Sequence, residues 1–281
     1  MTRTLSNFLK PLGPSQREAA RRSLLAAQAP YLAEWYTGQE DVPTRPPRTV
    51  RVATYNVHRW AGVRGGNAWV PDRAAYIVEA LNADVLALQE VLVPFDQRHP
   101  LRDLARLLGY HVAFVTTRVH RNGELGNAIL SRWPIEKAEA LDLSVGRLER
   151  RAALLTRIKA GVPLTVISTH LALVDRSRKM QVQTLLAHPH AQGAVVLMGD
   201  MNAWRRCSAV RSLDEAFDSD HDNAAWPPSF PSPAPVLALD RIYVQQARIA
   251  HMERCGLPEA RLASDHLPVV ATIALPETIP L

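Results

Sequence analysis

The stretch from Ala194 to Trp204 limits the possible folds more than any other part of the chain. Ala194, Val195, Val196, Leu197 and Met198 run without interruption into Gly199, Asp200, Met201 and Asn202. An apolar run of this length, with no polar residue alternating through it, reads as a strand buried on both faces. Such a strand needs a sheet with a covering layer on each side. Gly199 permits a tight exit or the close approach of another group. Asp200 and Asn202 are two residues apart, so both side chains reach the same side of an extended chain. A strand followed by an Asx turn would give the same letters. The segment alone leaves that reading and a functional one even.

The same grammar recurs along the chain. Strands are expected at 51–58, 85–88, 110–115, 127–131, 152–159, 164–169, 240–244 and 268–274. Helices are expected at 71–81, where Pro71 and Asp72 open the first turn, at 101–108, stopped by Gly109, and at 175–187. Residues 226–235 are proline-rich and read as an irregular loop. Many strands with interspersed helices give an α/β or α+β class. Residues 1–49 look different. Ser15 and Glu18 match a capping box before a helix at 16–28, Pro30 breaks it, and 41–48 reads as a proline-rich linker. The division expected is a helical extension at 1–49, a main domain at 50–274 and a short tail at 275–281.

The totals narrow the class. A chain of 281 residues suffices for one large α/β domain. A net charge of +6 suits an anionic partner, although scattered arginines on a solvated face give the same total. Cys207 and Cys255 have no metal-type spacing and fit a reducing compartment. No apolar h-region follows the first basic residues, and no run approaches the roughly 18 apolar residues of a membrane span. The expectation is a cytoplasmic protein without a transmembrane segment.

Rare polar residues gather at the ends of the apolar runs. Asn56 ends the first, Glu90 follows 85–88, and His170 follows 164–169. Asp200 and Asn202 follow 195–198, Asp240 follows 236–239, and Asp265 and His266 precede the last. One such residue is a cap or a turn. Carboxylates repeated beside buried strands need partners, and a divalent cation satisfies several at once.

Seven segments carry a resemblance. Tyr55-Asn56-Val57-His58, Leu88-Gln89-Glu90-Val91, 126–132 (Gly-Asn-Ala-Ile-Leu-Ser-Arg), Ser168-Thr169-His170-Leu171, Gly199-Asp200-Met201-Asn202-Ala203, Asp240-Arg241-Ile242 and Ser264-Asp265-His266-Leu267-Pro268 occur in that order. Together they resemble the endonuclease/exonuclease/phosphatase superfamily of DNase I-like phosphoesterases. The resemblance spans about 50–274. It implies a four-layer α/β sandwich with two mixed β-sheets face to face and helices outside. It also implies hydrolysis of phosphate esters with Mg2+ or Mn2+. Glu90 would be the chief metal ligand, helped by Asn56 and Asp265. Asp200 would orient or deprotonate the attacking water, and Asn202 would contact the phosphate. His266 would sit at the phosphate with Asp240 on its other ring nitrogen, and His170 would donate to a non-bridging oxygen. Whether Asp200 or His266 is the base stays open.

His58 shares a face with Asn56 if the strand continues through it. Arg151 could touch substrate phosphate, and Asn127 could orient Glu90. Arg118, Arg121, Arg176, Arg178 and Lys179 could form a basic rim. The expected partner is a phosphodiester of nucleic acid, phospholipid or a smaller molecule. A phosphomonoesterase of the inositol-phosphatase type and a catalytically silent binding module are the alternatives. Met201 stands where the family often has phenylalanine, a packing change within reach of a flexible thioether.

Overall fold

Alternate residues of the long strands enter different cores. In β2 (Thr49–Asn56), Val50 and Val52 face one core while Ala53 and Tyr55 face another. In β9 (Val195–Asp200), Val196 and Met198 face the first, and Val195 and Leu197 face a third. This two-residue period has a simple consequence. Sheets built from such strands must be covered on both sides.

The computed structural model describes residues 14–36, 48–66, 68–95, 99–146, 150–189, 194–217 and 226–275. Two sheets stand face to face. One has seven strands in the order β1-β4-β5-β3-β2-β12-β11. Beside β2 these are β1 (Tyr31–Tyr36), β3 (Val85–Pro94), β4 (His111–His120), β5 (Gly123–Ser131), β11 (Arg248–Arg254) and β12 (Val269–Ala274). The other has five in the order β10-β9-β8-β7-β6. Beside β9 these are β6 (Ile135–Asp142), β7 (Ala152–Lys159), β8 (Pro163–His170) and β10 (Asp240–Gln245). The pairs β2/β3 and β8/β9 are parallel and the rest antiparallel, so both sheets are mixed. Each parallel pair needs a crossover, supplied by α2 (Pro71–Leu81) and α4 (Asp175–Leu186).

The inter-sheet core holds Val50, Val52, Val85, Ala87, Ile129, Leu154, Val166, Val196, Met198, Ile242 and Ile273, each wholly buried. Burying one large aliphatic side chain of this kind contributes about 1.5–3 kcal/mol. The outer face of the larger sheet packs on α2, α3 (Pro100–Leu108) and the short α6 (Ala260–Ala263). The outer face of the smaller sheet packs on α4 and α5 (Ser208–Ala216). The four layers are those the resemblance implied.

Local chemistry sets the helix ends. Pro71 and Pro100 occupy first-turn positions where their missing N–H is not needed. The Nδ1 of His99 accepts from Arg102 N at 3.3 Å, and Gly109 closes α3 in the left-handed region.

The structure departs from expectation in several places. Residues 31–36, read as part of a helical extension, form β1 and pair antiparallel with β4 at the sheet edge. Before it, α1 (Pro14–Gln28) is tied down by Arg22, which donates to the carbonyl of Arg121 at 3.0 Å. Strands β6 and β11 and helix α5 were not anticipated. Strand β2, expected to run through His58, stops at Asn56, and a 3-10 turn from His58 to Trp60 follows. The side-chain cap at Ser15, the 41–47 part of the linker and the tail after Leu275 lie outside the described residues. Among the described residues no helix is long and apolar enough to cross a membrane.

Candidate active site

The inter-sheet rows change character at one edge. On β2 the row reads Val50, Val52, Thr54, Asn56. On β8 it reads Leu164, Val166, Ser168, His170, and on β9 Val196, Met198, Asp200. Register brings the polar ends level, with Asn56 opposite Gln89, His170 opposite Asp200 and Asp240 opposite Asp200. Asn56 then bridges the two sheets, its Nδ2 donating to Asp200 Oδ2 at 3.2 Å. Gly199 makes this convergence possible. A Cβ there would overlap the carbonyl oxygen of Thr169 on β8.

Asp200 is the hub. Its Oδ2 lies 3.4 Å from His170 Nε2 and 3.7 Å from His266 Nε2. Its Oδ1 accepts from the backbone N–H of Asn202 at 2.9 Å. That bond is the Asx turn of the structural reading, and it leaves Asp200 Oδ2 toward the two histidines. Asn202 sits at a positive φ of 50°, and its Nδ2 donates to Leu171 O at 2.8 Å, bracing the turn. On the far side of His266, Nδ1 donates to Asp240 Oδ2 at 2.7 Å. Asp240 is fully buried and also accepts from Ser229 Oγ at 2.6 Å.

The electrostatics follow from that geometry. Burial alone would push His266 down. The carboxylates of Asp240 and Asp200, the hydrogen bond to Asp240 and the charge of Asp265 outweigh it, raising His266 to about 10. Asp200 is raised to about 6 by burial, with His266 opposing and Asp240 adding to the rise. His170 is driven well below its ordinary value by burial, then by the positive charges of Arg151, His266 and Arg118. At neutral pH the cluster therefore holds an imidazolium between carboxylates, beside a neutral imidazole.

Glu90, Asp265 and Asn56 occupy the neighbouring ground. Glu90 lies in a bulge of β3, where register shifts between Leu88 and Val91, at a φ of 50°. A non-glycine residue in that region is uncommon and marks a side chain aimed by its surroundings. Arg59 Nε is 3.7 Å from its Oε2. Asp265 Oδ1 is 3.2 Å from His58 Nδ1, and the backbone N–H of His58 donates to Asn56 Oδ1 at 3.0 Å. His58 thus reaches the site, but not by the strand period expected. The strand has ended, and the 3-10 turn delivers the ring. Glu90, Arg151, Asn127 and His170 line one cleft together with Arg118 and Thr117. Asn127 also has a structural bond. Its Nδ2 donates to Ala152 O at 3.0 Å, tying β5 to β7.

Two sets of residues could hold a cation. Asp200, Asp240 and His266 place ligand atoms within 4.8 Å of one another. His266 Nδ1 is already bonded to Asp240 Oδ2, which leaves His266 Nε2, Asp240 Oδ1 and Asp200 Oδ2 as the atoms that could face an ion in this buried place. The expected ligands Glu90, Asp265 and Asn56 would add two carboxylates and an amide oxygen. Glu90 and Asp265 keep about a quarter of their side-chain surface exposed. That all-oxygen set suits a hard cation that keeps some of its water.

A model of the Endonuclease/Exonuclease/phosphatase family matches residues 53–266. The chain belongs to this family. An uncharacterised Escherichia coli K12 protein, YbhP, is 33% identical over 248 residues, covering 80% of this chain and 96% of its own. Among solved structures, a family member from Beutenbergia cavernae superposes with a TM-score of 0.65 at 23% identity, over 82% of this chain and 72% of that one. The human nocturnin catalytic domain with bound sulfate gives 0.64 at 23%, over 83% and 100%. At that identity the superpositions speak for the fold alone.

In this endonuclease/exonuclease/phosphatase chain, several residues that serve the site escaped the sequence reading. Ser229 orients Asp240. Ser264 Oγ donates to Asn56 O at 2.7 Å and accepts from His266 N at 3.2 Å, locking two distant segments together. Phe230 packs its ring 4.8 Å from that of His266. Arg178, expected on a basic rim, is instead 1% exposed. It donates to Ala172 O, Leu173 O and Asn202 O at 2.9, 2.8 and 2.7 Å and pairs with Asp175. The signal for the two serines was thin, a hydroxyl in the proline-rich loop and one beside Asp265.

Proposed function

We propose that the protein is a Mg2+- or Mn2+-dependent phosphodiesterase that uses water as the nucleophile. The observation that carries this reading is Asp200, held at the joined strand ends by Asn56, His170 and the His266–Asp240 pair. Glu90, Asp265 and Asn56 would hold the cation, which supplies positive charge to a phosphate oxygen that repels nucleophiles. Everything else falls to the chain. Asp200 accepts the proton of the attacking water, for which its raised pKa suits it. His266, an imidazolium fixed by Asp240, and His170, a neutral donor, face the phosphate oxygens as charge builds on them. The new bond joins water oxygen to phosphorus as the ester bond on the opposite side breaks.

The test is hydrolysis of bis(4-nitrophenyl) phosphate with Mn2+ or Mg2+, with EDTA, and with Glu90→Ala, Asp200→Ala and His266→Ala. Expected is loss with EDTA and a fall of about 100-fold or more in each variant. Activity that survives EDTA and all three changes overturns the reading.

A further inference from the structure

The loops that leave His170 and Asp200, with the helix α4 that follows the first of them, carry an unusual surface. Leu173 is 58% exposed, Val174 59%, Trp204 51% and Met180 46%. Leu173 and Val174 lie three and four residues beyond His170, and Trp204 lies four residues beyond Asp200. Single exposed apolar residues are ordinary, but a group of large ones beside a reacting cluster is not.

These side chains are held out rather than left loose. Buried Arg178 bonds carbonyls on both loops, and its guanidinium lies 5.7 Å from the centre of the Trp204 ring. Gln181 Oε1 accepts from Ala172 N at 2.9 Å and its Nε2 donates to Leu143 O at 3.0 Å, strapping the first loop to the body. Cations surround the group. Arg176, Lys179, Arg205 and Arg206 are all exposed. The single acid in 171–187 and 201–207, Asp175, is paired with Arg178 and Arg205.

We propose that this rim docks the protein on an anionic phospholipid surface, so that the substrate phosphodiester is a lipid headgroup. The substrate half of the inference rests on the phosphodiesterase reading; the docking half does not. Tryptophan suits the headgroup level, where one end of the ring is wet. Aliphatic side chains gain by entering the acyl boundary, and flanking arginines and lysines are drawn to negative headgroups. A nucleic-acid strand could stack on Trp204 and pair with the arginines, but it would leave Leu173, Val174 and Met180 without use.

The test is sedimentation of the full chain, in EDTA, with vesicles of phosphatidylcholine alone or mixed with phosphatidylglycerol. Binding to the mixed vesicles is expected, with a blue shift in tryptophan fluorescence that disappears in Trp204→Phe. The combined Leu173→Ser, Val174→Ser, Trp204→Ala variant is expected to bind at least about tenfold more weakly. A second variant, Arg176→Glu, Lys179→Glu, Arg206→Glu, is expected to lose the preference for phosphatidylglycerol. Both should hydrolyse bis(4-nitrophenyl) phosphate like the parent. A parent protein that stays in the supernatant, or variants that sediment as it does, overturns the proposal. So does single-stranded oligonucleotide binding that depends on these residues while vesicles are ignored. If vesicle binding depends on the loops but no diester is hydrolysed, docking stands and the phosphodiesterase reading falls.

Discussion

His266 shows how a ring in the candidate site can also serve folding. It holds its proton up to about pH 10 when folded, against roughly 6.5 for a free imidazole. Between those values the folded chain binds more protons than the unfolded one, so this contribution is complete below about 6.5 and is lost as pH rises toward 10. Melting the parent and His266→Gln in EDTA at steps across that window should show the parent's advantage shrinking with pH. A difference that stays flat or grows would refute the pairing. At this scale the sequence was legible where a polar residue closes an apolar run, as Asn56, Glu90, His170 and Asp200 do. It was silent where a residue acts through space. Ser264 and Asn56 meet across 208 positions, and no local pattern announces that.

Arg178 belongs to the scale of elements, because it fastens the loop after β8 to the loop after β9. Arg178→Met keeps much of the stem's packing and removes every bond to the three carbonyls. It should cost about 2–4 kcal/mol in urea unfolding and lower turnover by loosening Asn202. Arg178→Lys should recover only part of either, since an ammonium lacks the planar fork. A stability equal to the parent's would show that the carbonyls find other partners. Elements were legible in proportion to their burial. The continuous runs of β3, β8 and β9 were plain. Strand β11 was not, because the residues it packs on the core, Ile249 and Met252, stand three apart across a bulge and break the two-residue alternation. Nor was β6, which is charged along much of its length. The turn after Asn56 depends on successive positive φ angles at His58, Arg59 and Trp60, for which the letters give no warning.

At the scale of the whole molecule, β1 decides where the chain can be shortened. Removing residues 1–28 takes away α1, which is largely exposed and touches the body at few points. Removing 1–47 also strips β1 and leaves the β4 edge unpaired, a template for other chains. The shorter truncation should stay monodisperse with a melting temperature near the parent's. The longer should melt lower and aggregate, as light scattering would register. Equal behaviour of the two would mean that β1 adds nothing to the sheet. The four-layer architecture was legible only through the resemblance carried by the strand-end motifs. Periodicity alone gave strands and helices without their order in space.

Like the bonds from Asn127 to Ala152 and from Gln89 to Ser168, the contact from Asn56 to Asp200 spans the gap between two sheets packed mainly through aliphatic side chains. A relative slide of about an ångström would carry that 3.2 Å contact beyond hydrogen-bond reach. The bonds inside each sheet would travel with their own strands and survive. The candidate site is therefore a gauge of interior tightness. A mutation deep among the valines, far from any phosphate, can silence the chain while every strand and helix remains in place.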